Sequence, residues 1–280
     1  MNRRALLAAL AASAFGCHRA ASVPAGARRL VSLSPGITDA LFAIGAGAEL
    51  VARSDYCDYP PEVTRLPRVG TSLTPAYEAI TRLTPTLIIG EEGASARKRE
   101  LEAIGPTLLL PWLSLEDIVT SIRELGRRTG TVSAADALAQ RLHERLAVPA
   151  PPNGPRVLLV IGYQAGKLDE IWFIRDNSIH GAALRAAGAR NAVPEAVTGL
   201  PRLSLERLLA LDPDAIFILT QPGRAPGDYA KPFHELATLR AVRDGHVNVI
   251  EAPEAFVHGP RVLGLVERLA TAVKALGKAP

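Results

Sequence analysis

EAITRLTPTLII (residues 78–89) and ERLLALDPDAIF (residues 206–217) are one pattern written twice. The two copies keep a constant offset of 128 residues, with Glu78 matching Glu206, Leu83 matching Leu211 and Pro85 matching Pro213. Each copy opens near an acidic residue, runs for about two helical turns, stops before a proline and continues as an unbroken apolar run. Proline lacks an amide donor and disfavours helix in the residue before it, so it punctuates the helix. The apolar run, Leu87-Ile88-Ile89 in the first copy, suits a parallel strand buried on both faces. The period is far too long for a solenoid. The chain therefore reads as two similar halves with a cleft between them.

Working outward, the first half alternates short apolar strands with helices. Strands are predicted at 30–33, 50–52, 87–90 and 108–110, and helices begin near Thr38 and Tyr77. The second half repeats the alternation, with strands at 157–161, 215–219 and 247–250 and helices at 179–187 and 262–276. Strands alternating with helices indicate an α/β parallel sheet. Between the halves, residues 114–147 are helical in pattern, and 134–146 contain no Gly or Pro, so a continuous helix is expected there. Pro149, Pro151, Pro152, Gly154 and Pro155 then crowd together as a boundary. The expected architecture is two parallel-sheet lobes joined by a long helix, with a ligand cleft between the lobes. The bounds are 27–130 for the first lobe, 131–153 for the bridging helix and linker, and 154–280 for the second lobe.

Residues 1–26 stand apart. Met1-Asn2-Arg3-Arg4 is a short basic start, and Ala5 to Phe15 is an apolar run of 11 residues, too short to span a bilayer but suited to a signal peptide. The run ends in Ala14-Phe15-Gly16-Cys17, which resembles a bacterial lipobox except that Ala14 stands where Leu is usual. Lipidation at Cys17, with simple cleavage as the alternative, makes an exported body tethered to a membrane surface. The second cysteine, Cys57, then has no intramolecular partner. The formal charge of +4 comes without a Lys/Arg block interleaved with aromatics, which argues against a nucleic-acid partner.

Four groups could carry function. Glu78 and Glu206 hold equivalent places in the repeat. A carboxylate in a first helical turn is favoured by the helix dipole alone, but one on each lobe also makes a two-point docking surface for basic residues of a partner. The loop Asp55-Tyr56-Cys57-Asp58-Tyr59-Pro60-Pro61 follows a strand, where open α/β sheets bind ligands. Tyr56 offers a flat apolar face for a large planar ligand, while Tyr59 also suits a place inside a stiff turn. The Ser34–Thr38 segment either caps a helix or presents amides to an anion. The stretch from Glu254 through Phe256 and His258 to Arg261 again follows a strand. His258 either ligates a metal centre or makes a local hydrogen bond. Trp172 and Phe173 either cap the cleft or join the core. No GxSxG, HExxH or GxxxxGK[ST] occurs, and the six histidines are dispersed without metal-cage spacing, so no catalytic residue and no resident metal is assigned.

In order and spacing, Leu33–Asp39, Asp55–Pro61, Val69–Thr71, Glu78–Ile88, Gly188–Asn191 and Leu205–Asp214 resemble the periplasmic binding proteins for vitamin B12, ferric siderophores and haem. The resemblance covers about residues 28–275, with the vitamin B12 branch nearest. It implies a non-enzymatic solute carrier, exported to the periplasm or cell surface. Its partners would be an ABC permease in the inner membrane, with its ATPase, and a small-molecule cargo rather than a cofactor. Glu78 and Glu206 match the family's permease-facing glutamates, Tyr56 a tyrosine that contacts cobalamin, and Glu254–Val257 a cleft stretch. Ser72, Gly90 and Leu200 stand where the vitamin B12 carriers have cleft tryptophans, which thins the platform for a corrin. The ligand contacts implied are Tyr56, Ser72, Trp172, Glu254, Phe256 and His258. Haem is the nearest competitor to cobalamin, because His258 and Tyr56 can serve as axial iron ligands. A ferric siderophore would favour a cation such as Arg261. A surface hydrolase or a membrane-partnered sensor on the same scaffold carries less weight.

Overall fold

A computed structural model of the chain describes residues 28–164, 168–223 and 226–277. The expected leader and Cys17 lie outside the described residues.

The first sheet contains β1 (Leu30–Ser32), β2 (Leu50–Ala52), β3 (Leu87–Glu91) and β4 (Thr107–Leu110). Their order is β2-β1-β3-β4, every pair parallel. Helices α1 (Pro35–Ala43), α2 (Tyr77–Arg82) and α3 (Lys98–Glu102) connect them. The chain then forms α4 (Leu115–Thr129) and α5 (Val132–Leu146). A capping box between Ser114 and Asp117 opens α4, and Gly130 closes it at φ 77, a left-handed turn that favours glycine. The two helices therefore pack as a hairpin, and α5 carries the chain to the second sheet.

That sheet holds β5 (Arg156–Tyr163), β6 (Ile171–Phe173), β7 (Arg190–Asn191), β8 (Arg202–Leu203), β9 (Ala215–Thr220) and β10 (Val247–Glu251). Its order is β10-β9-β5-β6-β8, and β7 also pairs with β5. Here the structure departs from an all-parallel expectation: β6 runs antiparallel to β5 and β8. The helices of this half are α6 (Ile179–Ala186), α7 (Leu205–Leu211), α8 (Pro226–His234), α9 (Arg240–Arg243) and the terminal α10 (Val262–Leu276).

The strand alternation sorts side chains between cores. On β5, Val157 and Leu159 join one cluster and Leu158 and Val160 another; β9 repeats this with Phe217 against Ile216 and Ile218. The same split on β3 puts Leu87 and Ile89 into the cluster shared with Val157 and Phe217, and Ile88 into a third. That shared cluster runs from the first sheet through α1, α4, α5, α6 and α10 to the second. The two lobes thus have one continuous interior.

The sequence repeat has a backbone counterpart. Among the described residues, Thr84 (φ 43) and Asp212 (φ 40) are the non-glycine residues at positive φ, and they occupy the same repeat position, each before its proline. Such a backbone costs about 1–2 kcal/mol for an L-residue, so something must hold it. In the first lobe the Arg29 guanidinium donates twice to Leu83 O, at 2.9 and 2.7 Å, while Arg29 N donates to Thr86 Oγ1 at 2.8 Å. In the second lobe the Arg156 guanidinium donates to Leu211 O and to Asp212 O, while Arg156 N donates to Asp214 Oδ2 at 2.7 Å. An arginine at the start of a strand thus grips the end of the repeat helix in each half.

Candidate functional site

The loops at the carboxyl ends of the first sheet are tied from below. After β1, Ser34 caps α1, its hydroxyl accepting from Ile37 N at 3.4 Å and donating to Glu91 Oε1 at 2.5 Å. Burial raises the Glu91 carboxyl above its usual range, partly opposed by that bond. After β2, buried Arg53 donates to the carbonyls of Ser54, Cys57 and Thr64 at 3.3, 2.7 and 3.4 Å. The buried Cys57 thiol lies 3.1 Å from Thr38 Oγ1, and burial pushes its pKa up. On this anchored loop Tyr56 is 73% exposed and Tyr59 46%. The Ser72 hydroxyl is occupied, donating to Leu33 O at 2.8 Å.

The loop after β10 meets these elements. A 3-10 turn, Pro253–Phe256, leads through His258 to Arg261 and α10. Trp112 Nε1 donates to His258 O at 2.6 Å. Gly36 lies so close that a Cβ there would collide with the same carbonyl and come within 2.6 Å of Trp112 Nε1. Arg261 Nε donates to Asp39 Oδ2 at 2.6 Å, and its guanidinium carbon sits 4.3 Å from the Tyr59 ring centroid. Burial raises Asp39 to about 6 despite the hydrogen bond and charge of Arg261, with Asp58 adding a small push upward.

His180 supports this turn from α6. Its Nε2–H donates to Glu254 O at 3.1 Å and Val257 O at 3.2 Å, and burial lowers it to about 4. The His258 ring lies 4.6 Å from it, lowered to about 3 by burial and then by the charges of His180 and Arg175. Both imidazoles are neutral at neutral pH. Among the described residues no hydrogen bond engages the His258 ring nitrogens. Phe256 is 36% exposed beside them. The Glu254 carboxylate instead faces α10, with Arg268 Nε at 3.4 Å. Trp172 lies opposite Gly162 near the carboxyl end of β5, half exposed, with its indole 3.2 Å from where a Gly162 Cβ would stand. Its Nε1 donates to Glu170 at 2.7 Å. Of the positions lacking tryptophan, Gly90 is buried within β3 and Leu200 is 71% exposed.

The structure therefore brings the Tyr59 side of the first loop against Arg261 of the second, and Gly36 and Trp112 against His258. The residues that join them, Gly36, Asp39 and Trp112, were not among those singled out for contact, although Gly36 falls in the marked Ser34–Thr38 segment. No composition signal could have paired partners 146 and 222 positions apart.

Glu78 and Glu206 are each the second residue of their helices, α2 and α7, and both are exposed. Arg82 Nη2 reaches Glu78 at 3.3 Å. The Ser204 hydroxyl, and then its own amide, hold Glu206 below the usual carboxylate range.

Three comparisons with known proteins extend this geometry. A vitamin B12-binding protein of Vibrio cholerae is 26% identical over 254 residues, covering 90% of this chain and 91% of that protein; its counterpart from Salmonella typhimurium is 28% identical over 204 residues, covering 70% and 74%. A periplasmic heme binding protein from Pseudomonas aeruginosa has a crystal structure that superposes with a TM-score of 0.71 at 26% identity, covering 90% of this chain and 95% of that one. Residues 30–254 match the family model described as periplasmic binding protein, and with two α/β lobes meeting at the carboxyl ends of their strands the chain belongs to that family.

Proposed function

We propose that this protein is the solute-binding component of an ABC importer, capturing a cobalamin-type corrinoid between its lobes and delivering it to the permease and its ATPase in the inner membrane. The observation that carries this reading is the meeting of two sets of strand-end loops, where Tyr56 and Phe256 present apolar faces to solvent, with Trp172 half exposed on β6. A large, flat, partly apolar cargo suits such surfaces. Similarity to vitamin B12-binding proteins along nine-tenths of the chain supports the corrinoid. The jaws would be residues 27–130 and 154–280, with 131–153 as the bridge. The work is capture without chemistry, as in a family of binding proteins. Export through residues 1–26 and lipid attachment at Cys17 would hold the body at the membrane, in the periplasm or at the cell surface.

Docking is assigned to Glu78 and Glu206, supported by their exposure and matched helix positions. Changing both to alanine is expected to abolish uptake while leaving cargo affinity intact. Loss of affinity in that variant would count against docking. Incubation with cyanocobalamin, haem or a ferric siderophore, then desalting and an absorbance spectrum, tests the cargo; retention of none would sink the capture reading.

Haem is the second reading, favoured by His258. A neutral imidazole with unengaged ring nitrogens has a lone pair to offer iron. The absence of tryptophan at Ser72, Gly90 and Leu200 points the same way.

A further inference from the structure

The loop that carries Tyr56 and Tyr59 closes on one buried side chain. Arg53 directly follows β2, and its backbone is fixed there: Arg53 N donates to Pro67 O at 3.1 Å and Val69 N donates to Arg53 O at 3.0 Å. The residue is 5% exposed. Its guanidinium serves the loop. Nη1 donates to Ser54 O at 3.3 Å and to Cys57 O at 2.7 Å, the carbonyls of the residues that bracket Asp55 and Tyr56. Nη2 donates to Thr64 O at 3.4 Å, in the 3-10 turn Pro61–Arg65. One nitrogen thus holds both ends of a tight turn, and the other ties that turn to the far end of the loop.

The residues around Tyr56 are pinned as well. Asp55 N donates to Gly70 O at 2.9 Å, and Asp55 Oδ1 accepts from Gly70 N at 3.2 Å. Cys57 N donates to Ser54 O at 3.1 Å, and the Cys57 thiol is buried against Thr38. Tyr56 stands exposed between these fixed points. For stability alone, a buried guanidinium is a poor choice. Among the described residues no carboxylate lies within ion-pair distance of it, and its Nε is buried without a hydrogen-bond partner. An apolar side chain would fill the same space with no donor to strand. What the arginine adds is a planar fork with several donors, able to fix carbonyls from separate parts of the loop at once.

We propose that Arg53 is a positioning residue for cargo capture. From beneath the loop, without touching the ligand, it holds Tyr56 in place so that the loop is ordered before the cargo arrives and binding does not have to supply that order. This rests on the reading of Tyr56 as a cargo contact.

The test is a double-mutant cycle. Affinities for cyanocobalamin and for iron protoporphyrin IX are measured by absorbance titration in the wild type, Arg53→Met, Arg53→Lys, Tyr56→Ala, and each Arg53 variant combined with Tyr56→Ala. On the probe that the wild type binds, Arg53→Met should weaken binding on the order of 10-fold, the worth of ordering one or two side chains with their loop. Arg53→Lys keeps a donor for part of the carbonyl set and should lose less. In the Tyr56→Ala background neither change should cost more than about 2-fold, because the residue through which Arg53 acts is gone. A merely structural arginine would move affinity equally in both backgrounds or not at all, and either result overturns the assignment of Arg53 alone. A second measurement needs no variant that must fold. In the cargo-free wild type the amides of Asp55 and Cys57 should already resist hydrogen exchange; rapid exchange that slows only when the probe is added would show a loop ordered by its ligand and refute the proposal. Wild-type affinity in Tyr56→Ala would instead remove Tyr56 from the cargo contacts, and binding of neither probe by the wild type would sink the capture reading itself; the inference falls with either.

Discussion

Replacing Arg261 with leucine should destabilise the protein far more at pH 8 than at pH 5. Asp39 is almost fully buried, and Arg261 is its ion-pair partner, at 2.6 Å. Burial raises the folded-state pKa of Asp39 from 3.8 to about 6. For a carboxyl raised in this way the sign is clear. Its contribution to stability is fully present below its ordinary pKa and is lost as pH rises through the folded value, about 3 kcal/mol in all. At pH 5 most folded molecules hold the proton, and losing Arg261 strands no charge. What disappears is its packing and its contact with Tyr59, about 1 kcal/mol for a partly exposed cation over a ring. At pH 8 the wild type buries a carboxylate with its partner, whereas the variant buries it alone or takes up a proton. Breaking a buried pair from one side costs about 3–5 kcal/mol. Urea titrations at both pH values, at constant ionic strength, read the difference directly. His180 and His258 also shift stability with pH, but they remain in both proteins and largely cancel in the comparison. An equal loss at pH 5 and pH 8, or wild-type stability at pH 8, would refute the reasoning.

Two further outcomes are expected. Arg29→Ala and Arg156→Ala should each cost about 1.5–3 kcal/mol, the range for hydrogen bonds from a charged donor, and should combine additively to within about 0.5 kcal/mol because they share no partner; strong coupling in a double-mutant cycle would mean the two grips are not independent. Gly36→Ala should cost about 1–3 kcal/mol through overpacking and shift the fluorescence of Trp112, since the added methyl group displaces the His258 carbonyl; wild-type stability with unchanged emission would show that the approach is looser than described.

Local features were legible in the sequence. Val262–Leu276 is the terminal helix at its expected bounds, and α6 stops within a residue of its predicted end, before Gly188 at φ 91. These depend on capping, periodicity and chain breakers within a few residues. The repeat was visible because Pro85 and Pro213 punctuate it. Its grip was not, because Arg29 and Arg156 lie more than 50 positions from the carbonyls they hold, and their own offset is one residue shorter than that of the pattern. No strand is predicted at Trp172, because a three-residue strand has too little sequence for alternation to register. Glu254 stands in a stretch that the family resemblance assigns to the cleft; the 3-10 turn faces its carboxylate to Arg268 and leaves Phe256 outward, an orientation that no local pattern encodes.

The single interior shared by the two sheets has a mechanical consequence. The lobes resemble the tines of a fork cast in one piece, and filling the space between them should move their tips very little. A machine that grips both tips would feel nearly the same object whether the fork is empty or loaded, and would have to sense the load itself.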